Sequence, residues 1–430
     1  MKFYIETFGC KVNTYESNYI KKTLIDGDFF YVNNINDADI IIINTCTVTN
    51  TADSKCKKYV RKVRRENKDS ILAVVGCSVQ NNFDEYSQMD IDILLGNRKK
   101  TELLELIKNF TKTNEKQNYI TNNRNLDFEN MEINNFDHTR AFIKIQDGCD
   151  NFCAYCIIPF MRGKCRSKDF KLVIKEAKKL VDNGHKEIVL TGIHTGSYND
   201  SGKDLVDLIN ELSKIDLLER IRLSSVEITE LNNKFMEMLK FNKKFCDHLH
   251  IPLQAGSDEV LKDMNRKYDL QYFYQKINEI RNIRPDISIT TDIIVGFPTE
   301  TKVMFNKTYE TAEKIKFSKI HVFPYSKRDG TIASRLKDID STEKTNRVHK
   351  LLELSDYLEL EYNKKFIGKE VNVLIEENKD NKSIGHTSNY LRVEIDKNLE
   401  KNKTYNIIYN LPNKKDISSN WYLFCLKFSV

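Results

Sequence analysis

The stretch GCDNFCAYC, Gly148 to Cys156, sets Cys149, Cys153 and Cys156 in a C-x3-C-x2-C pattern with no fourth cysteine or histidine beside them. A structural zinc site takes four protein ligands. Three thiolates holding a cubane of four irons would instead leave one iron without a protein ligand, an open position for an outside molecule. The alternative is a zinc site completed from elsewhere in the chain, by Cys165 or a histidine. A second set is spread along the N-terminal section, where Cys10 ends KFYIETFGC, Cys46 ends ADIIIINTC and Cys77 ends ILAVVGC. Each follows an apolar run of strand character, and the separations are about one βα unit each. In an open parallel sheet the carboxyl ends of the strands converge on one edge, so three distant cysteines can meet there as one cluster-binding site. Taken singly, each would be an ordinary small buried hydrophobe.

Residues 1–108 alternate short apolar strands with helical stretches, the rhythm of an open parallel sheet. The Asn-rich segment 109–136 has little apolar periodicity and reads as a linker. From about Thr139 to Lys365 the alternation resumes, with strand candidates AFIKIQ, EIVLT, RIRLS, DHLHIP, ISITTDII and KIHVF. Six βα units predict a partial (β/α)6 barrel over 137–366, with chemistry at the C-terminal strand ends. The C-x3-C-x2-C loop follows the first of these strands, at that face. Residues 367–430 turn to β-type runs, VNVLIEE, NYLRVEID, TYNIIYNL and WYLFCLKFS, which predict a small all-β barrel. The expected class is α/β, with an open sheet, a partial barrel and a β domain in series.

A chain of 430 residues, 40% of them hydrophobic, can bury several cores. Its N-terminus lacks the apolar stretch of a signal peptide and no run is long enough to span a membrane, so a cytoplasmic location without a membrane partner is expected. Ten cysteines in a reducing compartment point to metal or redox chemistry before disulfides. The net charge of +6 is small for this length, but KCKKYVRKVRRENK, Lys55 to Lys68, carries eight basic residues against Glu66 alone. Cys56, Tyr59, Val60 and Val63 recur there at helical spacing and would face a core, leaving a basic outer face that is either solvated or set against phosphates. Cys56 then reads as packing. His248 and His250 alternate on the fourth barrel strand and read as hydrogen-bonded core residues. Cys165, Cys246 and Cys425 have no partners at ligand spacing and read as structural.

The C-x3-C-x2-C loop resembles that of the radical S-adenosylmethionine (SAM) superfamily, and the whole chain resembles the methylthiotransferases within it. The stretches that carry the resemblance are TFGCKVNTYES, NTCTVTNTAD, GCDNFCAYCIIPFMRG, IPLQAGSDEVLKDMNRKYD and TDIIVGFPTET, with GHTSNYLRVEI fitting a TRAM domain. GCKVN and NTCTVTNTAD look like the MtaB-like branch, which modifies threonylcarbamoyladenosine in tRNA. The isopentenyladenosine branch usually shows GCQMN and the ribosomal-protein branch GCPKN. Thr299 stands where the family usually has glycine and Asp329 where proline is frequent, both outside the cysteine sets.

The resemblance implies two [4Fe-4S] clusters, one on each cysteine set, with SAM chelating the open iron beside Cys149, Cys153 and Cys156. It implies a tRNA anticodon loop as partner and an electron donor such as flavodoxin or ferredoxin. An electron would split SAM into methionine and a deoxyadenosyl radical, and adenine C2 would gain a methylthio group. Tyr155 takes the aromatic position near the SAM adenine. Thr191 and Gly192 end the second strand, Ser224 and Glu227 follow the third, Gln254 and Arg266 flank LQAGSDEVLKDMNR, and Gly296 and Phe297 follow the fifth. These are candidates for contact with SAM or substrate, and each would otherwise cap a helix or fill a turn. Lys11, Val12, Thr47 and Val48, beside Cys10 and Cys46, would sense the adenine substituent, with Lys11 facing its carboxylate. RNA binding falls to the basic helix and to the C-terminal barrel, through Lys401, Lys403, Lys414, Lys415, Tyr405 and Trp421, although Trp421 suits a core plug better. Other readings are a methylthiotransferase for isopentenyladenosine or for a ribosomal aspartate, and a zinc RNA-binding protein without redox chemistry.

Overall fold

The N-terminal strands form one parallel sheet of six in the computed structural model, which describes residues 1–121 and 127–411. They are β1 (Lys2–Thr7), β2 (Phe30–Tyr31), β3 (Ile40–Thr45), β4 (Ile71–Gly76), β5 (Ile93–Leu95) and β6 (Gln117–Tyr119), in spatial order β2-β1-β3-β4-β5-β6. The order reverses between β1 and β3, where open α/β sheets leave a crevice for ligands. Ile40 to Ile43 are fully buried, which is why β3 is a continuous apolar run instead of an alternating one. Helix α1 (Lys11–Asp26) places Ile20 and Leu24 on one face of the sheet, and α2 (Asn50–Glu66) places Val60 and Val63 on the other. The sheet runs past residue 108, because the segment expected to be a linker supplies β6, paired with β5. Met131, Ile133 and Phe136 of the same segment enter the core of the next unit. Scattered apolar residues among asparagines have no period by which to announce this.

The barrel strands are β7 (Arg140–Lys144), β8 (Glu187–Thr191), β9 (Arg220–Leu223), β10 (His248–His250), β11 (Ser288–Val295) and β12 (Lys319–Pro324). They run parallel in two sets of three, joined by a bridge from Ile221 to Phe245. No ladder among the described residues closes β12 onto β7, so the barrel is partial. Residues on a strand point alternately to its two faces. Ile143, Ile188, Leu190, Ile221, Leu249, Ile289 and Ile293 face the surrounding helices and are buried. The alternate positions, among them Arg140, Glu187, Arg222, His250, Asp292 and His321, give the lumen a polar wall.

The last unit is an antiparallel sheet of β13 (Glu370–Lys379), β14 (Lys382–Thr387), β15 (Arg392–Ile395) and β16 (Thr404–Ile408) in order β15-β14-β13-β16. Lys414, Lys415, Trp421 and Cys425 lie outside the described residues. No helix among the described residues is long and apolar enough to cross a membrane.

This β unit stoppers the foot of the barrel. Tyr390, held at φ +70° between β14 and β15, stacks on His248 with ring centroids 4.8 Å apart. The Arg140 and Arg222 guanidinium carbons lie 5.1 and 4.7 Å from its ring centre, and Arg140 donates to its hydroxyl at 2.8 Å. Arg220 donates to the His386 carbonyl at 2.9 Å, and Arg222 to that of Ser388 at 3.1 Å and to Glu187 at 2.6 Å. Tyr390→Ala should therefore lower stability by about 3 kcal/mol, because ring, stack and cation–π contacts go together. Tyr390→Phe should lose only about 1 kcal/mol with the hydroxyl. Chemical denaturation of the three proteins checks this, and equal midpoints would mean that the plug carries no load.

Candidate functional site

The C-x3-C-x2-C loop leaves β7 at its C-terminal end and is held from three sides. The Cys149 amide donates to the Gly163 carbonyl at 3.0 Å, Ala154 to Met264 at 3.0 Å, and Ala333 to Ala154 at 2.8 Å. Gly148 sits at φ +76°, and a Cβ there would meet the Lys164 carbonyl oxygen at 2.0 Å, so only glycine fits. Cys149, Cys153 and Cys156 are all partly exposed free thiols. Burial, then the Cys153 thiol beside it, push Cys156 up to about 12. A bound metal inverts that logic, since it deprotonates a coordinating thiol outright.

Four candidates, Arg266, Glu227, Tyr155 and Phe297, meet at this loop. Arg266 donates to the Cys153 sulfur at 3.3 Å and pairs with Glu227. Tyr155 packs against the apolar cluster of Ala154, Val260, Met264, Phe297 and Tyr325. Phe297 is fully buried there, edge-on to Tyr325 at 5.6 Å, so it supports the loop from below. Thr191 closes β8, and a Cβ on Gly192 would come within 2.9 Å of the Gln146 Cβ. The Ser224 hydroxyl lies 3.2 Å from that of Thr195. Gln254, at φ +65°, donates its amide to the Asp292 carbonyl at 2.9 Å. Gly296, at φ +71°, donates to Glu300 at 2.6 Å. Cys165, which has no partner at ligand spacing in sequence, lies with its sulfur 3.9 Å from His194 Nδ1.

Cys10 follows β1, Cys46 follows β3 and Cys77 follows β4, on both sides of the switch in strand order and beside it. A Cβ on Gly9, which sits at φ +107°, would meet the Cys46 sulfur at 2.9 Å. Burial, with the Cys10 and Cys77 thiols adding to it, pushes the Cys46 thiol up. Asn13 ties the exits of β1 and β3 together, donating to the Phe8 carbonyl at 2.7 Å and to that of Thr45 at 3.0 Å. Among the described residues no three thiols lie mutually within 4.8 Å. A single zinc about 2.3 Å from each sulfur would draw them to about 3.8 Å. Neither set is drawn together as a single zinc would draw it, and three thiol donors are chemistry that suits iron–sulfur ligation.

What joins the two sets is charge pairing between residues of separate stretches. The short helix Ile158–Arg162, which leads out of the C-x3-C-x2-C loop, sends buried Arg162 to the Asn13 side-chain oxygen at 3.0 Å, where it lies beside Cys77 and Cys10. Glu16, wholly buried, accepts from Lys100 at 2.7 Å, Lys144 at 2.8 Å and Arg162 at 3.1 Å. Asp147 accepts from Lys144 at 2.8 Å and Arg162 at 3.1 Å. The hints in sequence were the i, i+4 row Val12, Glu16, Ile20, which places Glu16 on an apolar stripe, and the presence of Asn13, Glu16 and Arg162 within TFGCKVNTYES and GCDNFCAYCIIPFMRG. Of the residues flanking Cys10 and Cys46, Lys11 and Val48 are exposed while Val12 and Thr47 are buried. Thr47 donates to Asp53 at 3.1 Å and accepts from Arg328. On α2, Cys56 is buried, and Lys57, Arg61, Lys62, Arg64 and Arg65 each meet an acid. Five of the eight cations in the run Lys55 to Lys68 thereby pair, sharing Glu66, Glu85 and Asp92 among them.

A family model described as the radical SAM superfamily matches residues 143–312, and one described as uncharacterized protein family UPF0004 matches residues 2–96. A threonylcarbamoyladenosine tRNA methylthiotransferase MtaB of Bacillus subtilis is 40% identical, across 90% of this chain and 88% of its own. One of Thermotoga maritima is 39% identical across 86% of each. A tRNA-2-methylthio-N(6)-dimethylallyladenosine synthase of Carboxydothermus hydrogenoformans is 34% identical across 87% of this chain and 88% of its own. Among solved structures, the radical SAM methyltransferase TsrM of Kitasatospora setae superposes with a TM-score of 0.56 at 11% identity, over 75% of this chain and 74% of its own. The cobalamin-dependent radical SAM enzyme OxsB does so at 0.53 and 12%, over 84% of this chain and 56% of its own. Those two likenesses are of fold. A radical SAM domain implies a [4Fe-4S] cluster, SAM and a source of electrons. With two-fifths identity across nine-tenths of its length, this chain belongs to the radical SAM methylthiotransferase family.

Proposed function

We propose that the protein adds a methylthio group to C2 of threonylcarbamoyladenosine beside the anticodon of tRNA. The observation that supports this reading is that Arg162, in the short helix out of the C-x3-C-x2-C loop, reaches the Asn13 side chain at 3.0 Å, close after Cys10 of the other set. Relatives named for this activity support the choice of nucleoside. In this reading Cys149, Cys153 and Cys156 hold one [4Fe-4S] cluster and leave an iron for SAM, and Cys10, Cys46 and Cys77 hold a second. When bound, these groups supply a carbon radical able to break the adenine C2–H bond, the sulfur and the methyl group.

The chain's own residues do the positioning. Arg266, oriented by Glu227, offsets negative charge at the Cys153 sulfur. Tyr155 offers its ring to the SAM adenine, braced by Phe297. Thr191, Gly192 and Ser224 form a strand-end rim of small residues for the polar end of SAM, and Gln254 and Gly296 turn the neighbouring strand ends toward it. Units are proposed at 1–108, 109–136, 137–366 and 367–430, with the first sheet extended by β6. The last is a TRAM domain that takes the anticodon loop, with exposed Lys401 among its contacts. Flavodoxin or ferredoxin serves as donor, and the location is cytoplasmic.

A polar site leaves its groups unpaired when the substrate lacks their partner, and such sites reject the analogue strongly. Reconstituted enzyme should therefore turn over tRNA carrying threonylcarbamoyladenosine on the order of a hundredfold or more faster than tRNA carrying isopentenyladenosine. Mass spectrometry of the nucleosides measures both products. Comparable turnover of the two would sink the choice of nucleoside and leave the radical chemistry standing.

A further inference from the structure

The loop that follows β12 touches both cysteine-bearing loops. At one end, Arg328 donates to the hydroxyl of Thr47, the residue after Cys46, and to the Asn50 side-chain oxygen. Asn50 answers with its amide to the Ser326 hydroxyl at 3.0 Å and its side chain to the Lys327 carbonyl at 2.7 Å. At the other end, Ala333 donates to the carbonyl of Ala154, between Cys153 and Cys156, at 2.8 Å. Thr331 stiffens the stretch between them, since its amide and hydroxyl both donate to the Arg328 carbonyl, at 3.1 and 2.7 Å. A short segment of the barrel unit thus ties the exit of β3 to the C-x3-C-x2-C loop.

Arg328 stands apart from the other buried arginines. Arg162, Arg220, Arg222 and Arg347 each meet a carboxylate. Arg328 is only 3% exposed, its Nε has no partner, and it forms no ion pair among the described residues. Asp53 does not supply one. That carboxylate is taken by Lys57 at 3.4 Å, Asn82 at 2.9 Å, the Ser78 hydroxyl and the Thr47 hydroxyl at 3.1 Å, and it reaches Arg328 only through Thr47. Asp329, next in the chain, is exposed. A buried cation is costly unless an opposite charge offsets its lost hydration. The thiol set beside Thr47 can provide that charge, because a bound metal deprotonates the thiols that coordinate it. Arg162 approaches the same set through Asn13, near Cys10, but Glu16 and Asp147 already balance it. Arg328 comes from the side of Cys46 with no such balance.

We propose that Arg328 is the counter-charge of a cluster on Cys10, Cys46 and Cys77, lent by the barrel unit, and that it raises the reduction potential of that cluster. It touches the set only through Thr47, so it is a positioning residue and not a ligand. The inference rests on the reading that those three cysteines hold a cluster, and adds what sets its charge. A fixed positive charge nearby favours the reduced form, which is the more negative of the two.

The test uses the full chain with Cys149→Ala, Cys153→Ala and Cys156→Ala, reconstituted anaerobically so that only the N-terminal cluster is titrated. Potentiometric titration followed by electron paramagnetic resonance reads its potential. Adding Arg328→Met should leave about four irons bound. It should shift the reduction equilibrium toward the oxidised cluster by about tenfold or more, a fall of about 59 mV for one electron. Arg328→Lys, which keeps the charge, should stay close to the parent chain. Arg328→Gln keeps a donor for Thr47 without the charge, and it decides the matter if Arg328→Met fails to fold. Iron lost from the uncharged variants but kept by Arg328→Lys would report the same dependence on charge. An unchanged potential in the uncharged variants would overturn the counter-charge and leave the proposed function standing. Equal falls in Arg328→Met and Arg328→Lys would also overturn it, since they would mark a role of shape alone. Absence of iron from the parent chain, with Arg328 intact, would remove the N-terminal cluster, and the functional reading would fall together with this inference.

Discussion

Replacing Cys149, Cys153 and Cys156 together with alanine should halve the iron bound on anaerobic reconstitution, from about eight atoms per chain to about four, and abolish SAM cleavage. Replacing Cys10, Cys46 and Cys77 should also halve the iron, yet leave deoxyadenosine formation in place and stop methylthio transfer. The asymmetry follows from the scaffold. The first loop hangs on Gly163, Met264 and Ala333 of the barrel unit, whereas the second set is organised by Asn13 at the exits of β1 and β3. Neither set of hydrogen bonds passes through the other's sulfurs, so each site should load alone. Iron content and deoxyadenosine yield are separate readouts, and both are needed. Full iron in the N-terminal triple variant would mean that the sheet-edge site does not exist. Full SAM cleavage in the barrel variant would remove the radical assignment altogether.

Glu16→Ala should destabilise the protein by about 3–5 kcal/mol, the usual result of removing one partner from a buried charge group. The side chain is wholly inaccessible, and its loss strands Lys100 and leaves Asp147 alone to offset the desolvation of Lys144 and Arg162. The same group predicts acid sensitivity of a definite sign. Burial by itself raises Glu16, but the three cations outweigh it and hold its carboxyl well below the usual range. Asp147 is likewise held low, by Lys144, Arg162 and Arg166 against burial. A depressed carboxyl contributes stability that is fully present above its unfolded value, near about 4.3 for glutamate, and is lost as pH falls toward the folded value. The wild type should thus weaken steeply below about pH 5, and Glu16→Gln should be less stable above that pH and flatter below it. Denaturation midpoints from pH 3 to 8 decide the point, and parallel curves would show that the group is not linked to folding.

The cysteines that carry the candidate chemistry, and the strands that present them, could be read from the sequence because both are local signals. C-x3-C-x2-C is a spacing within one loop, and β3, β8 and β11 announce themselves by period and by Ile and Val content. Placing Cys10, Cys46 and Cys77 at strand ends required only that parallel strands point the same way. What those windows could not contain is pairing between distant charges. α2 looks basic along its own length, and only the fold brings Glu85, Asp90 and Asp92 to it. Glu16, Lys100, Lys144, Asp147 and Arg162 each look like surface residues, because charged side chains are seldom wholly buried unless paired. Their partners come from both units, so their burial was decided when α1 met β7. Tyr390 is similar: a tyrosine in a turn until the β sheet docks and Arg140 and Arg222 close over its ring. Periodicity and spacing are properties of a short stretch of chain, whereas the balance of desolvation against Coulomb attraction exists only where separate stretches meet.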